Sequence, residues 1–475
     1  MNASDYCPVT REIIEDLKRI CGEAFVYSDD ARKLAKYSRD KVPGQPGYLP
    51  EVVVMPKTAL EVAEVVKLAN REMIPITPRA AGSGLSGGAV PIYGGLLLSV
   101  ERMNDIIEID DKNLMAVVEP GVVTNKLDVV LQEYGLFFAG YPMSEEFCFI
   151  GGNVAENAGG GRAVKYGVTG QYIQGLEIVA PTGEIIQLGG KRIKDVTGYN
   201  MVQLMVGSEG TLGIFTKIFI KLLPRPTVRQ AILVLFETPE TAIAVVPEIM
   251  TAGKLVPTSI EFMDGFTFNM TAKALKESFP YEKIGAAVLF EVDGTHLSVV
   301  AENAATIRRI CRERGAIEDY LATTDPEIER FWRIRKRIPW DIMRYTPHQS
   351  VEDIVVPIAN IPLALSNLKQ IGEKYGVAIP VLGHAGDGNL HAIPLKNPAS
   401  SVAHWQEILP ALLKDIYAMT AELGGTISGE HGIGHKRRDY MNLVMSEAHL
   451  DMMRKIKRAL DPKNILNPGK VFNFI

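Results

Sequence analysis

Residues 78–88 read Pro-Arg-Ala-Ala-Gly-Ser-Gly-Leu-Ser-Gly-Gly, four glycines in eleven positions. Within them Gly82-x-Gly84-x-x-Gly87 formally matches the dinucleotide fingerprint GxGxxG. That fingerprint needs a helix directly after the glycines, so that the helix N-terminus faces a pyrophosphate. Here AVPIYGGLLLSV follows, with Pro91, Gly94 and Gly95 leading into a strand, and the doubly wound dinucleotide fold is rejected. Taken alone, the segment reads equally as a flexible turn or as a phosphate cradle built from successive backbone N–H groups. Two more segments favour the cradle. Residues 150–161 read IGGNVAENAGGG, followed by Lys165-Tyr166-Gly167, and residues 207–213 read GSEGTLG. Three such segments suggest one long ligand threaded past several backbone turns.

Around these loops the composition is ordinary. The 475 residues are 47% apolar and 23% charged, which excludes a disordered or coiled-coil chain and suggests two to four domains. The net charge of −5 argues against a nucleic-acid partner. Cys7, Cys21, Cys148 and Cys311 are scattered, without a CxxC pair. That pattern argues against a disulfide framework, a zinc ribbon and an iron–sulfur cluster. The start, MNASDYCPVTREIIEDLKRI, is charged and helical without an apolar signal-peptide core, and no apolar run is long enough to span a membrane. A cytoplasmic protein is expected.

Helical spacing marks 9–22 and 58–73, the latter opened by a Thr58/Glu61 capping box. Short strands are expected at 51–55, 74–77, 96–100 and 116–119. Pro224-Arg225-Pro226 is the best boundary candidate. Beyond it, strands at 230–237, 286–292, 353–356 and 378–382 alternate with helices at 238–252, 297–314 and 361–375, an α+β pattern. Two amphipathic helices and the tail LDPKNILNPGKVF close the chain.

PRAAGSGLSGG, GGNVAENAGG…KYG and GSEGTLGI together resemble the FAD-binding domain of the vanillyl-alcohol oxidase/p-cresol methylhydroxylase (PCMH-type) family. The C-terminal half is similar to its GlcD-type glycolate oxidase and D-lactate dehydrogenase branch. The resemblance covers about 45–475 of the numbering. It implies an α+β fold: a two-subdomain FAD-binding domain over 1–225, split near 108, then an α/β (ferredoxin-like) cap over 226–420. A C-terminal segment, 421–475, would return to the flavin. Carried over by motif, the FAD-binding residues are Pro78, Arg79, Ala80, Ala81, Gly82, Ser83, Gly84, Leu85, Ser86 and Gly87 in the first loop. Pro142 and Ser144 follow, then Gly151, Gly152, Asn153, Ala155, Glu156, Asn157, Ala158 and Gly159. Tyr166, Gly167, Glu209, Gly210, Gly213, Ile214 and Asn467 complete the set. Ala80, Ala81, Tyr141 and Phe149 depart from the family's wording. Covalent relatives carry histidine near Ser83, so serine there implies non-covalent FAD.

Four of eight histidines fall in GHAGDGNLH (383–391) and GEHGIGHK (429–436). Asp387-Gly388 signals a two-residue hairpin turn, which would pair Gly386 with Asn389, Ala385 with Leu390 and His384 with His391. Opposed imidazoles suit one divalent metal. Gly432 and Gly434 make a helix through the second segment poor, so 429–434 is expected as a loop after a strand-like 426–428. The resemblance assigns His384, His391 and Glu430 as ligands of one divalent metal (zinc, iron or manganese) and His431 as catalytic base.

Such a site oxidises a 2-hydroxy acid: the C2 hydride goes to flavin N5 while a histidine takes the hydroxyl proton. The metal acidifies and orients the hydroxyl, and the carboxylate calls for an arginine. Trp332-x-x-Arg335 resembles the family's W-x-x-R, making Arg335 the candidate; Arg333, Lys336 and Arg337 read as a solvated helix face. Where some dicarboxylate-using relatives carry lysine, this chain reads Val351-Glu352-Asp353, which favours D-lactate, then glycolate, over D-2-hydroxyglutarate. Electrons are expected to pass to a separate acceptor, an electron-transferring flavoprotein or an iron–sulfur subunit, with a homodimer or hetero-oligomer left open. The rivals are a non-catalytic FAD relay subunit and an alkyl-dihydroxyacetone-phosphate synthase, neither of which needs the His/His/Glu set.

Overall fold

The computed structural model describes residues 5–473. The chain forms two compact units. One holds the chain up to Gly159, Val168–Arg225 and the chain from Glu430 on; the other holds Gly160–Gly167 and Pro226–Gly429. The segment with Tyr166 and Gly167 therefore belongs to the second unit, as do residues 421–429. The helix expected at 9–22 runs Arg11–Cys21, and residues 1–4 of the charged N-terminal stretch lie outside the described residues.

In the first unit, three runs are buried along most of their length, Val52–Val54, Leu96–Ser99 and Ile76–Arg79. They pair in parallel, as strands covered on both faces do. Helix Ala59–Glu72 lays Val62, Val65, Val66 and Ala69 onto this sheet, with Thr58 accepting from Glu61 N at its start. Ile465 and Leu466 fill the same core. Ile76 N donates to Ile465 O and Asn467 N to Ile76 O, each 2.7 Å, so the C-terminal tail is built into this unit. A second, antiparallel sheet runs in the order Ile106–Asp110, Met115–Val118, Ile214–Lys221, Ile173–Val179, Ile185–Gly189.

No helix occurs between Arg79 and Leu96, so the first glycine loop is irregular, as its composition implies. The second glycine segment corrects the expectation of turns: Ile150–Glu156 is a short helix. Gly151 allows it, since a Cβ there would stand 2.6 Å from the Pro120 side chain. Close helix packing, more than flexibility, explains that glycine.

The second unit is one seven-stranded antiparallel sheet: Glu318–Ala322, Val228–Phe236, Ala286–Gly294, Ser259–Asp264, Val381–His384, Asn389–Ala392, Glu352–Val355. The 381–384 strand begins after Pro380 and not at Ala378, because proline has no N–H for the ladder. The hairpin register also differs from expectation. Ala385–Gly388 form a four-residue loop, and His384 pairs with Asn389 rather than His391. A shift of two residues keeps every side chain on its face. His384 and His391 thus become diagonal neighbours on one face.

Candidate active site

Within the first unit, loop 78–88 is fixed at both ends and open in the middle. Arg79 is buried and donates to Arg39 O (2.8 Å) and Ala89 O (3.1 Å), so its guanidinium is used internally. Gly87 sits at φ +77° and donates to Asp40 Oδ2 at 2.8 Å; Gly88 N donates to Ser86 Oγ. Among the described residues, the amides of Ser83, Gly84 and Leu85 donate to no protein acceptor. Three consecutive N–H groups without a protein acceptor are donors available to a pyrophosphate. Pro142 and Ser144 lie half-buried in a turn, where Ser144 O accepts from the amides of Phe147 and Cys148.

The helix Ile150–Glu156 begins beside this loop, with Gly152 leaving 3.3 Å between a would-be Cβ and Ala80. Asn153 donates to Thr124 Oγ1 (2.7 Å), and Asn157, left-handed at φ +52°, caps the helix and accepts from Gly170 N (2.8 Å). Both asparagines therefore hold the scaffold. The main chain of Ala155 accepts from Glu209 N and that of Ala158 from Thr169 Oγ1. Gly159 borders Glu430, whose Oε2 would lie 3.4 Å from a Cβ there.

The side chain of Glu209 is engaged within this unit. Its buried carboxylate accepts from Ile433 N (Oε1, 2.8 Å) and Gly434 N (Oε2, 2.6 Å), gripping the loop that carries Glu430 and His431. Burial pushes its carboxyl above the usual range, while the two amides, Arg437 and Lys470 oppose the shift. Neighbouring Glu156, to which Ser86 Oγ donates, is pushed well above that range by burial and by the Glu209 charge. Asn467 Nδ2 donates to Gly88 O (2.9 Å) and Glu209 O (2.7 Å), tying the first loop to the turn that leads through Gly210 and Gly213 into Ile214. Lys470 donates to Val90 O, and burial lowers its pKa to about 7. His435, beside Gly87 and Tyr48, is lowered to about 4 by burial and by Lys470 and Arg438. His431 Nε2 lies 3.8 Å from Glu430 Oε1.

Within the second unit, the His384 and His391 rings lie 5.3 Å apart, edge to face. Asp353 is directly opposite His391 on the next strand, with Oδ1 at 3.6 Å from Nδ1. It accepts from Asn389 Nδ2 (2.8 Å), Ser428 Oγ (2.8 Å) and Gly429 N (2.9 Å). Residues 426–428 make isolated bridges to this strand and not a full strand. Glu352 points to the opposite face, where Tyr417 and Ser350 donate to it. Only one member of the acidic pair thus shares the histidine face. Glu261 is a fully buried carboxylate: Oε1 is 2.6 Å from His384 Nδ1 and Oε2 is 2.8 Å from Arg335 Nε. Arg335 faces inward from helix Asp325–Tyr345, as does Trp332, which donates to Glu291 (2.5 Å). Arg333 and Arg337 pair with Glu277 and Asp341 near the surface, as expected of a solvated face. Tyr166 OH donates to Asp293 (3.0 Å), and Lys165 pairs with the same carboxylate, anchoring 160–167 in this unit.

Glu261 and Lys470 carry no mark of the site in the sequence, and Asp353 is marked there only as half of the acidic pair disfavouring a second substrate carboxylate. A usable signal for Glu261 is a carboxylate set between Ile260 and Phe262 in the strand Ser-Ile-Glu-Phe-Met-Asp. The donor set fits the groups the motifs imply. The free amides and glycines of loop 82–87 fit the pyrophosphate of FAD. Two imidazoles on one face, beside a carboxylate, fit a divalent metal.

Two family models match the chain: "FAD binding domain" over 50–189 and "FAD linked oxidases, C-terminal domain" over 225–471. The chain is 37% identical to "Glycolate oxidase subunit GlcD" of Bacillus subtilis, across 98% of this chain and 97% of that one. It is 36% identical to "D-lactate dehydrogenase" of Anaerostipes hadrus, across 99% of both. The fold matches the solved 4-ethylphenol oxidase of Gulosibacter chungangensis with a TM-score of 0.78 at 20% identity, covering 98% of each chain.

Proposed function

The chain belongs to the FAD-linked oxidase family, and from that premise we propose that it is a 2-hydroxyacid dehydrogenase taking small D-2-hydroxy acids, D-lactate first and glycolate next. The observation that carries this reading is the convergence in the second unit of His384, His391 and an inward arginine, Arg335, all buried. Arg335, ion-paired with buried Glu261, offers a guanidinium whose planar fork suits the carboxylate of such a substrate. Glu430 and His431 directly follow Gly429 in sequence, whose N–H is held by Asp353. His384, His391 and Glu430 are the proposed metal ligands, with Asp353 a further oxygen donor beside His391.

FAD held non-covalently at the glycine loops would supply the hydride acceptor for C2, and a divalent metal held by His384, His391 and Glu430 would supply the acidity for the substrate hydroxyl. His431 takes the hydroxyl proton, a task suited to an imidazole near neutral pH. Arg335 fixes the carboxylate and with it the face of C2 presented for transfer. Electrons then leave for a separate protein, an electron-transferring flavoprotein or an iron–sulfur subunit. No helix among the described residues is long and apolar enough to cross a membrane. The orientation of Glu352 leaves one acidic side chain, Asp353, to disfavour a second substrate carboxylate. D-2-hydroxyglutarate is therefore the alternative substrate.

The test is dye-linked turnover with D-lactate, L-lactate, glycolate and D-2-hydroxyglutarate. The reading expects the highest kcat/KM for D-lactate and no turnover of L-lactate. Preference for D-2-hydroxyglutarate would replace the substrate assignment, and turnover of none would remove it.

A further inference from the structure

We infer that Glu261 is a positioning residue that sets the metal-binding strand and the substrate arginine together, through one carboxylate. This rests on the proposed reading of His384 as a metal ligand and Arg335 as the carboxylate anchor. Glu261 is fully buried on strand Ser259–Asp264, which pairs with Val381–His384 and places Glu261 directly opposite His384. Its two oxygens are divided: Oε1 to His384 Nδ1 at 2.6 Å, Oε2 to Arg335 Nε at 2.8 Å. A carboxylate accepts only, so His384 must carry its proton on Nδ1 and present the Nε2 lone pair. That is the tautomer a metal requires, and a carboxylate behind a ligating imidazole raises its basicity. The same carboxylate is the buried counter-charge of Arg335, with Oε2 at 2.8 Å from Nε. Ligand tautomer and the placement of the arginine charge therefore depend on one residue.

Gly161 supplies an independent observation. A Cβ at this position would stand 2.8 Å from Glu261 Oε1 and 3.1 Å from the Trp332 ring. The last glycine of the IGGNVAENAGGG run thus keeps room for this carboxylate, a packing role quite apart from flavin binding. Gly161 is not in the left-handed region, so alanine there displaces Glu261 without imposing backbone strain.

The test uses FAD-loaded full-length enzyme, stripped of metal and titrated with zinc or manganese against a chromophoric chelator. Three proteins are compared: wild type, Glu261→Gln and Gly161→Ala. Glutamine can donate to Nδ1 and turn the histidine to the wrong tautomer, but it also strips the counter-charge from Arg335 and can cost folded protein. Gly161→Ala leaves every charge in place. Both variants are expected to bind metal roughly 10–100-fold more weakly. At saturating metal, KM for D-lactate is expected to rise several-fold more than kcat falls. A general loss of structure would instead lower FAD content and kcat together. If wild type binds metal and turns over while Gly161→Ala matches it in both affinity and KM, the inference is overturned. If wild type itself takes up no metal, the reading of the site fails and takes the inference with it.

Discussion

Replacing Glu209 by glutamine removes half of a two-point grip on the loop that carries Glu430 and His431. The carboxylate accepts from Ile433 N and Gly434 N at 2.8 and 2.6 Å. A glutamine keeps one acceptor oxygen and turns an NH2 group against the other amide. A hydrogen bond to a charged group contributes about 1.5–3 kcal/mol, so one lost bond costs about 2 kcal/mol, with the orphaned buried N–H adding to it. Relief of the repulsion with Glu156 returns part of this. For a unit of this size, 1 kcal/mol corresponds to about 2–4 °C in Tm, giving an expected fall of about 4–8 °C. Glu209→Ala loses both bonds and leaves a void, and should fall further. The assay is thermal melting by circular dichroism at saturating FAD, so that ligand linkage is constant. At 20 °C, well below the melt, flavin reduction by D-lactate should also slow, because His431 lies two residues before the clamped amide. A Tm within 1 °C of wild type for glutamine, or an alanine variant no worse than glutamine, would refute the clamp.

Three further outcomes are expected. His435 is held near pKa 4 against 6.5 in the unfolded chain, so the unfolded state binds the extra proton between those values. Its contribution is complete above pH 6.5 and is lost as pH falls towards 4, by up to about 3 kcal/mol; urea titrations of His435→Gln should show a flatter stability profile across that window. Gly434, at φ +54°, would drive a Cβ into the Ser86 carbonyl, so Gly434→Ala should lose soluble holoprotein or its bound FAD, measured as flavin absorbance per chain. Arg335→Lys replaces a fork by a point charge, and should raise KM for D-lactate at least tenfold with a smaller change in kcat, read by dye-linked kinetics.

The glycine segments showed the family and the cofactor because close backbone approach leaves a residue-level trace: only glycine fits, and it recurs at set spacings. Their roles were less legible. Gly151 and Gly161 serve packing against Pro120 and Glu261, contacts made by residues far away in sequence. Helix 59–72 was readable from its apolar period and its Thr58 cap, both local signals. The histidine hairpin was readable as a hairpin with both imidazoles on one face. Its register was not, because Asp387-Gly388 suits either a two- or a four-residue loop and alternation alone does not separate shifts of two. Glu261 and Glu209 escaped for a different reason. Each is defined by partners on other elements, His384 with Arg335 and Ile433 with Gly434, and a lone glutamate carries no mark of them.

Metal-assisted hydride transfer from a D-2-hydroxy acid to the flavin is followed by anaerobic flavin absorbance. Holoprotein mixed with D-lactate should bleach, stop bleaching after chelation, and recover when zinc, manganese or iron is restored. A flavin that stays oxidised with D-lactate, glycolate and D-2-hydroxyglutarate alike, with metal present, would contradict it.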